Sequence, residues 1–254
     1  MEEIFRSMRT NLQFMLKEGE KVVLFTSSTS GEGKTFNAAN LSVSFGLLGK
    51  KVILVGLDIR RPRLAELFDI HDHKHGITNL LVKDNPTMEE VEEQILPSGV
   101  NKNLDLLMAG PIPPNPAELI ARNSLDIIIN LLKEKYDYIM IDTAPVGLVT
   151  DTLQIARVAN TTVYVCRADY TPKDSFKFIN ALAKENKLPN MSLVINGIDM
   201  SKKKYGYYYG YGKYGKYGKY GRYGKYGNYG SYGSSYGDYA NSHYGDKNDT
   251  SVKR

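Results

Sequence analysis

The stretch VVLFTSSTSGEGKTFNAANLS, residues 22–42, decides the fold of this chain. It begins with a short apolar run of the kind that forms a buried strand, and it ends in a longer segment that is typical of a helix. Two glycines and a Lys-Thr pair, within residues 31–35, lie between them. A glycine-rich turn at this place offers backbone N–H groups and the positive end of a helix dipole to an anion. The stretch therefore predicts a phosphate-binding loop.

The side chains of this loop indicate a nucleotide triphosphate bound with Mg²⁺. Lys34 is expected to reach the β- and γ-phosphates and Thr35 to hold the metal. Ser28 stands where the usual pattern has its first glycine, and an incidental glycine turn before a helix is the alternative interpretation. The predicted nucleotide-binding residues of the loop are Ser30, Gly31, Glu32, Gly33, Lys34, Thr35 and Phe36.

Further apolar runs alternate with amphipathic segments up to about residue 199. Because the runs are apolar at nearly every position, they fit strands that are covered on both faces, as in a parallel sheet. Residues 70–101 are polar and interrupted, and they predict a peripheral insertion with one short helix at 87–95. The predicted strands are 21–27, 51–57, 103–109, 136–143, 161–167 and 191–197, and the predicted helices are 3–17, 34–48, 116–133, 151–158 and 173–186. This alternation predicts a doubly wound α/β domain of the P-loop NTPase type, residues 1–201, with a mainly parallel sheet.

Two of the apolar runs end in an acid. Asp58 follows the second predicted strand, and Asp142 lies at the tip of the strand predicted at 136–143. In open α/β sheets the ligand binds outside the carboxyl ends of the strands, where these carboxylates would meet the loop. A single aspartate there is often only the cap of the next helix. The pair, together with the Lys-Thr loop, predicts Thr35, Asp58 and Asp142 as Mg²⁺ ligands and Lys34, Asp58 and Asp142 as catalytic residues.

The last part of the chain has a different composition. Between residues 205 and 244 lie 15 of the 19 tyrosines and 11 of the 23 glycines. Residues 202–254 carry a net charge of +8, so the remaining residues carry −3 and the basic character belongs to the tail. Too few apolar side chains are present to offset the entropy of ordering the chain. Residues 202–254 are therefore predicted to be a flexible, disordered tail.

Cysteine usage and hydropathy exclude two further classes of protein. Cys166 is the one cysteine, so the chain has no disulfide framework and suits a reducing compartment. No apolar stretch approaches the ~20 residues that a membrane span needs, and no signal peptide opens the sequence. The sequence alone predicts a globular nucleotide-binding domain.

The ordered set of motifs resembles that of the bacterial tyrosine kinases, the autokinases of capsule and exopolysaccharide synthesis. The resemblance covers nearly the whole chain, and its elements are EIFRSMRTNLQF (3–14), SSTSGEGKT (27–35), VGLDIRRPRL (55–64), LLMAGPIPPNPAELI (106–120), YIMIDTAPV (138–146) and the tyrosine cluster. It implies an ATP- and Mg²⁺-dependent protein-tyrosine kinase. It also implies a homo-oligomeric ring in which each tail is phosphorylated by a neighbouring subunit.

The same resemblance implies partners and a place in the cell. The expected partners are other copies of the chain, a membrane adaptor domain on its N-terminal side, a tyrosine phosphatase and the polysaccharide export machinery, with no nucleic acid. The family implies either a separate soluble protein or the cytoplasmic end of a two-span membrane protein. Met1 lies only one residue before the first motif, which suggests an excised domain. The expected location is the cytoplasmic, inner face of the bacterial plasma membrane.

Three details of the resemblance bear on individual residues. Glu3, Arg6 and Arg9 match the family's Glu-x-x-Arg-x-x-Arg ring interface, although a solvated helix would carry the same polar stripe. Asn196 matches an adenine-contacting position, and a turn residue is the alternative. The family's second motif is Asp-x-Asp-x-Arg, and Gly56 replaces the first acid here. Asp58 is then expected either to act as the general base or to serve Mg²⁺ only.

The tyrosine tract is the expected phosphoacceptor. A glycine-rich coil of 53 residues spans roughly 40 Å, which is enough to reach an adjacent subunit. A solubilising or single-strand-binding segment would have a similar composition. The predicted acceptors are Tyr205, Tyr207, Tyr208, Tyr209, Tyr211, Tyr214, Tyr217, Tyr220, Tyr223, Tyr226, Tyr229, Tyr232, Tyr236, Tyr239 and Tyr244.

Two other functions share parts of this pattern. Partitioning and division-site ATPases have the same fold, but they carry an additional lysine early in the loop, where this chain has Thr29. A non-catalytic module whose tail recruits partners is the second alternative. Incubation with ATP and Mg²⁺ separates both from a kinase.

Overall fold

The computed structural model describes residues 2–72 and 74–199. The predicted domain boundary at residue 201, the predicted disordered tail and all fifteen predicted acceptor tyrosines lie outside these residues. Within them, no helix combines the length and the apolar character needed to cross a bilayer.

Seven strands and nine α-helices form a layered α/β fold in the described part of the chain. The strands are β1 Val22–Ser27, β2 Val52–Gly56, β3 Ile95–Pro97, β4 Leu104–Leu107, β5 Tyr138–Asp142, β6 Thr161–Arg167 and β7 Met191–Asn196. The helices are α1 Glu2–Met15, α2 Lys34–Leu47, α3 Leu64–Leu67, α4 Ile77–Leu81, α5 Met88–Glu93, α6 Pro116–Ala121, α7 Ser124–Lys135, α8 Asp151–Ile155 and α9 Ser175–Lys184. A 3₁₀ turn, Ala156–Val158, continues α8.

The strands form one sheet in the order β3-β4-β2-β5-β1-β6-β7. All neighbours are parallel except β3, which pairs antiparallel with β4. The predicted doubly wound, mainly parallel α/β fold is confirmed. In the register of the sheet, Asp142 at the end of β5 lies opposite both Phe25 of β1 and Gly56 of β2. The carboxyl ends of these three central strands are therefore level.

Apolar side chains fill both faces of the sheet. The central strands β1, β2 and β5 are buried along nearly their whole length, because helices cover them from both sides. Helices α1, α2 and α3 cover one face, and α4 to α9 contribute to the core on the other. This arrangement leaves the carboxyl edge of the sheet open between the two helical layers.

The short helix predicted at 87–95 is confirmed as α5, but the prediction that residues 70–101 form a peripheral insertion is wrong. Ile77, Leu80 and Leu81 of α4 and Val91 of α5 are fully buried in the main core, and β3 adds an edge strand to the sheet. The apolar positions of α4 have helical spacing, but its five residues are too short a run to show a clear period in the sequence.

The single helix predicted at 116–133 is two helices. The chain is extended at Arg122, with ψ of 151°, and α7 begins at Ser124. The Ser124 hydroxyl donates to the carbonyl of Leu81, which fixes the start of α7 against α4. The break between α6 and α7 is associated with this tertiary contact, which local helix propensity cannot predict.

Candidate active site

The loop between β1 and α2 has the backbone of a phosphate-binding loop. Gly31 and Gly33 have φ of 85° and 96°, in the left-handed region that favours glycine. A Cβ atom on Gly33 would lie 2.1 Å from the side-chain nitrogen of Asn196. Any other residue at position 33 would therefore be strained and would displace Asn196. Helix α2 begins immediately afterwards, so its N-terminal N–H groups face the loop.

Lys34 lies between the two predicted catalytic carboxylates. Its Nζ is 3.4 Å from Asp58 Oδ2 and 3.4 Å from Asp142 Oδ1. The hydroxyl of Thr35 donates to Asp142 Oδ2 over 2.8 Å. The side chains of Lys34, Asp58 and Asp142 are at most 11% exposed. The structure therefore brings together the four side chains that the sequence assigned to three separate motifs.

Burial and charge act against each other in this cluster. Burial by itself would lower the pKa of Lys34, but the charges of Asp142 and Asp58 together outweigh it and raise the pKa. Burial raises the pKa of Asp142, and Lys34 offsets part of that rise. The raised pKa keeps Lys34 charged beside two carboxyl groups, so the cluster offers a cation to a polyphosphate and oxygen ligands to a divalent metal ion.

The donor set fits Mg²⁺ held jointly with phosphate. Thr35, Asp58 and Asp142 offer hydroxyl and carboxylate oxygens, the hard ligands that Mg²⁺ prefers. Among residues 2–72 and 74–199, no group of three or more His, Cys, Asp or Glu side chains could hold a metal alone. The ion would therefore complete its coordination with water and substrate oxygens, as is usual for Mg²⁺ at phosphate sites.

Two clefts meet at Asp58. The first, about 440 Å³, is lined by Asp58 and by the loop residues Ser30, Gly31, Gly33, Lys34, Thr35 and Phe36. The second, about 410 Å³, is lined by Gly56, Asp58 and Asp142 and by the loop after β4. Phe36, half-exposed in the first cleft, also contacts the ring of Phe5 in α1, with centroids 6.0 Å apart. The site thus offers one space beside the phosphate-binding loop and another across Asp58 from it.

The carboxyl end of β6 and the residues that follow it contact the phosphate-binding loop, and the sequence did not indicate this. Arg167 donates to the carbonyl of Gly31 over 3.1 Å, and the Tyr170 hydroxyl donates to the carbonyl of Ser30 over 2.9 Å. Because β6 neighbours β1, its carboxyl end reaches the loop. Only the strand order shows that these residues lie together, so no local motif could have found them.

Glu32 is a buried carboxylate inside this loop. It accepts hydrogen bonds from the backbone N–H of Thr29, at 2.7 Å, and from the hydroxyl of Thr171. Burial raises the pKa of Glu32, and these hydrogen bonds offset part of the rise. Its side chain does not line the first cleft, so only the backbone of Glu32 can contact a nucleotide there.

Asn196 lies at the carboxyl end of β7, beside the same loop. Its side-chain amide donates to the carbonyl of Glu32 over 3.0 Å. Contact with adenine stays a prediction for this residue. Ser28, in place of the usual first glycine, is buried, and its hydroxyl lies 3.0 Å from that of Tyr164.

The three predicted interface residues have different surroundings. Glu3 and Arg6 are exposed and form a 2.6 Å ion pair with each other along α1. Arg9 is partly buried and donates to the side chain of Ser44 in α2 over 3.2 Å. Helix α1 thus carries two of the three charges outward, while the third attaches it to α2. Their role in a ring stays a prediction.

Comparison with known proteins identifies the family. A family model described as AAA domain matches residues 20–195. The putative tyrosine-protein kinase CapB of Staphylococcus aureus is 34% identical over 210 residues, which cover 82% of this chain and 90% of CapB. The tyrosine-protein kinase YwqD of Bacillus subtilis (strain 168) is 36% identical over 81% of this chain and 85% of its own length. The chain belongs to the bacterial tyrosine-protein kinases, within the AAA domain family. The crystal structure of the chimerical protein CapA2B2 has a TM-score of 0.69 at 30% identity, over 77% of this chain and 84% of that one.

This bacterial tyrosine kinase departs from the family's motif at Gly56. The residue ends β2 and borders the second cleft. A Cβ atom there would lie 3.4 Å from both Leu64 Cδ2 and the backbone nitrogen of Ala109, which is ordinary van der Waals contact. The fold therefore has room for the start of a side chain at the position of the absent acid.

Proposed function

We propose that this chain is an ATP- and Mg²⁺-dependent protein-tyrosine autokinase whose acceptors are the tyrosines of its own C-terminal tract. The observation that carries the proposal is the position of Lys34 between Asp58 and Asp142, where two clefts adjoin. Membership of the tyrosine-protein kinase family supports tyrosine as the acceptor.

The two clefts suit the two substrates of such a reaction. The triphosphate lies along the N–H groups of residues 30–35, and Lys34 balances the charge of its β- and γ-phosphates. Thr35, Asp58 and Asp142 would hold Mg²⁺ together with phosphate oxygens, and the ion would supply positive charge opposite the transferred group. The acceptor side chain enters from the second cleft, on the other side of Asp58.

Asp58 is the general base in this proposal. The tyrosine oxygen forms a bond to the γ-phosphorus while the bond from that phosphorus to the β,γ-bridging oxygen breaks, and ADP leaves with the electron pair. The phenolic proton passes to the carboxylate of Asp58. This assignment follows from position, since Asp58 borders both clefts and Asp142 already accepts from the Thr35 hydroxyl. Because phosphoryl transfer depends mainly on positioning and charge neutralisation, one carboxylate can serve where the family has two.

Phosphorylation occurs between subunits of a ring. The exposed pair Glu3 and Arg6 on α1 offers charges to a neighbouring copy. A tail of 53 residues is long enough, at roughly 40 Å, to reach the next site. The net charge of +8 on that tail favours its approach to the two carboxyl groups of the site, Asp58 and Asp142.

The biological role that we propose is control of capsule or exopolysaccharide synthesis and export through assembly and disassembly of the ring. The partners in this proposal are a membrane adaptor domain, a tyrosine phosphatase and the export machinery. The kinase works at the cytoplasmic face of the plasma membrane. The connection with capsule or exopolysaccharide synthesis, the adaptor and the phosphatase follow from the family resemblance.

Mass spectrometry of the purified chain tests the kinase activity. Incubation with ATP and Mg²⁺ is expected to add several increments of about 80 Da, one for each phosphotyrosine, to the tail. Lys34→Met should abolish them, because the charge that balances the phosphates is lost. Lys50→Met, at an exposed position just after α2, is the matched control and should be modified like the parent.

A mixed reaction tests transfer between subunits. When the Lys34→Met chain is incubated with the parent chain, its tail is expected to gain phosphate, and the gain should increase with protein concentration. A parent chain that binds ATP yet leaves every tail tyrosine unmodified would contradict the kinase proposal. Modification of the parent alone in the mixture would contradict the ring.

A further inference from the structure

The two edge strands of the sheet, β3 and β7, differ in how well they are protected against pairing with a further strand. At one edge, β3 has three residues, one of which is Pro97, so its outer side is a poor template for a further strand. At the other edge, β7 has six residues, MSLVIN, with neither a charge nor a proline. Among the described residues, no strand pairs with its outer side. An uncharged edge strand of this length is a template for one more strand.

The side chains of β7 add an apolar surface to this open edge. In the register with β6, Leu193 lies beside Tyr164 and Ile195 beside Cys166. Tyr164 and Cys166 are buried in the core, whereas Leu193 and Ile195 are 49% and 54% exposed. Helix α9 covers this face of the sheet at β6, but the side chains of β7 on the same face remain about half exposed. A strand carrying large side chains on this face would complete it.

The chain itself supplies a segment with the matching pattern. Gly197, the residue after β7, has φ of 69°, which suits the start of a chain reversal. Beyond the described residues the sequence continues to YGYYYGY, residues 205–211, with tyrosine at every second position, 205, 207, 209 and 211. Tyrosine has a high strand propensity, and alternate residues of a strand share one face. From residue 211 to 229 the spacing changes to three, which places successive tyrosines on opposite faces of a strand.

We propose that residues 205–211 of the same chain, which composition alone assigns to the disordered tail, dock on the outer edge of β7 as an antiparallel strand. In the register that fits the pattern, Tyr207 lies beside Ile195 and Tyr209 beside Leu193, while Tyr208 covers Val194 on the opposite face. Residues 197–204 form the connection. This hairpin is a short-range, intramolecular pairing, so it needs no loss of translational freedom such as a second copy of the chain would need.

Docking changes what the rest of the tail does. A strand of seven residues is about 20 Å long, so residues 212–254 would begin at the far end of β7, away from their own nucleotide loop. This consequence rests on the proposed function, since it favours phosphorylation of a neighbour's site over the chain's own. It also withholds the hydroxyls of the docked tyrosines from a kinase until the strand leaves the edge.

Amide hydrogen exchange of the full chain tests the docking without ATP, so the result is independent of kinase activity. The protein is first treated with a broad-specificity tyrosine phosphatase. Peptides that cover residues 205–211 are expected to exchange about tenfold or more slowly than those that cover 212–230. Leu193→Lys/Ile195→Lys should remove this difference. Leu47→Lys/Leu48→Lys, at exposed positions at the end of α2, should retain it.

A second pair of variants covers the case in which the β7 variant does not fold. Tyr207→Lys/Tyr209→Lys should abolish the slow exchange, and Tyr217→Lys/Tyr220→Lys, with the same change of composition, should not. Equal exchange of residues 205–211 and 212–230 in the parent chain would overturn the proposal. So would slow exchange that survives both lysine pairs, or that depends on protein concentration, since the latter points to a second copy as the occupant.

Discussion

Gly56 ends strand β2 directly opposite Asp142 in the register of the sheet. It borders the second cleft, and its neighbours leave room for a Cβ atom. The backbone there needs no glycine, since its φ lies outside the left-handed region. Neither the backbone conformation nor the space for a Cβ atom therefore requires glycine at position 56.

Replacing this glycine tests how much a second acid contributes. Gly56→Asp is expected to raise the initial rate of autophosphorylation at saturating ATP by about tenfold, because a further carboxylate can accept the phenolic proton. Gly56→Asn, of equal size and without charge, is the control and should not accelerate the reaction. If the two variants have the same rate, a second base has no part in the transfer.

Glu32, in the phosphate-binding loop, makes the stability of the fold depend on pH. Its pKa in the folded chain is raised above the ordinary value of 4.5, chiefly by burial. Above about pH 4.5 the native chain therefore binds more protons than the unfolded chain. Protonated Glu32 therefore contributes to the free energy of unfolding below about pH 4.5. This contribution is lost as the pH rises through the pKa of Glu32 in the folded chain.

Glu32→Gln isolates this contribution. Glutamine can still accept from the Thr29 N–H and can donate to the Thr171 hydroxyl, but it has no charge to bury. The melting temperature of the variant should equal that of the parent near pH 4 and exceed it increasingly towards neutral pH. Thermal unfolding across this range measures the difference, with the exposed Glu134→Gln as control. A difference that does not change with pH would refute the raised pKa.

The secondary elements that carry the site were predictable where their pattern is local. Strands β1, β2 and β5 are apolar at most positions and were predicted within two residues of their ends. The N-terminus of α2 follows from Gly33 and Lys34. Helices α3 and α4, at four and five residues, are too short for a period, and their burial comes from packing on the sheet.

One contact between elements positions the loop that carries Asp58. Arg60, two residues further on, donates to both carboxylate oxygens of Asp151 at the start of α8, over 2.6 and 3.1 Å. Asp151 is buried, so the pair is well shielded from water. The arginine of the family's motif thus connects the loop after β2 to a helix that is distant in the sequence.

The whole molecule combines an acidic body with a basic tail. The two parts carry −3 and +8, and each phosphotyrosine adds about −1.5 to −2. Four to six phosphates would therefore cancel the charge of the tail. Because the charge is spread over many equivalent tyrosines, we expect phosphorylation to act on assembly in a graded manner.

Tyr→Phe substitution in the tail tests the graded effect. Any single replacement should change the oligomer size after ATP treatment only slightly, and replacement of most tail tyrosines should change it strongly. Sedimentation velocity before and after treatment measures the size. A single substitution that reproduced the full effect would identify one decisive tyrosine and contradict this view.

The sequence by itself determined the phosphate-binding loop, the strands that flank it, the acids at the strand ends and the class of fold. These features are local, because a glycine turn, an apolar run or a charged tail is encoded by neighbouring residues. Only the tertiary structure decided that β5 lies between β1 and β2, so that Asp142 meets Lys34 and Asp58. It also decided that the carboxyl end of β6 and the residues that follow it contact the loop and that residues 77–91 enter the core. Strand order and core membership depend on burying both faces of one sheet, which joins residues far apart in the chain and leaves no local pattern.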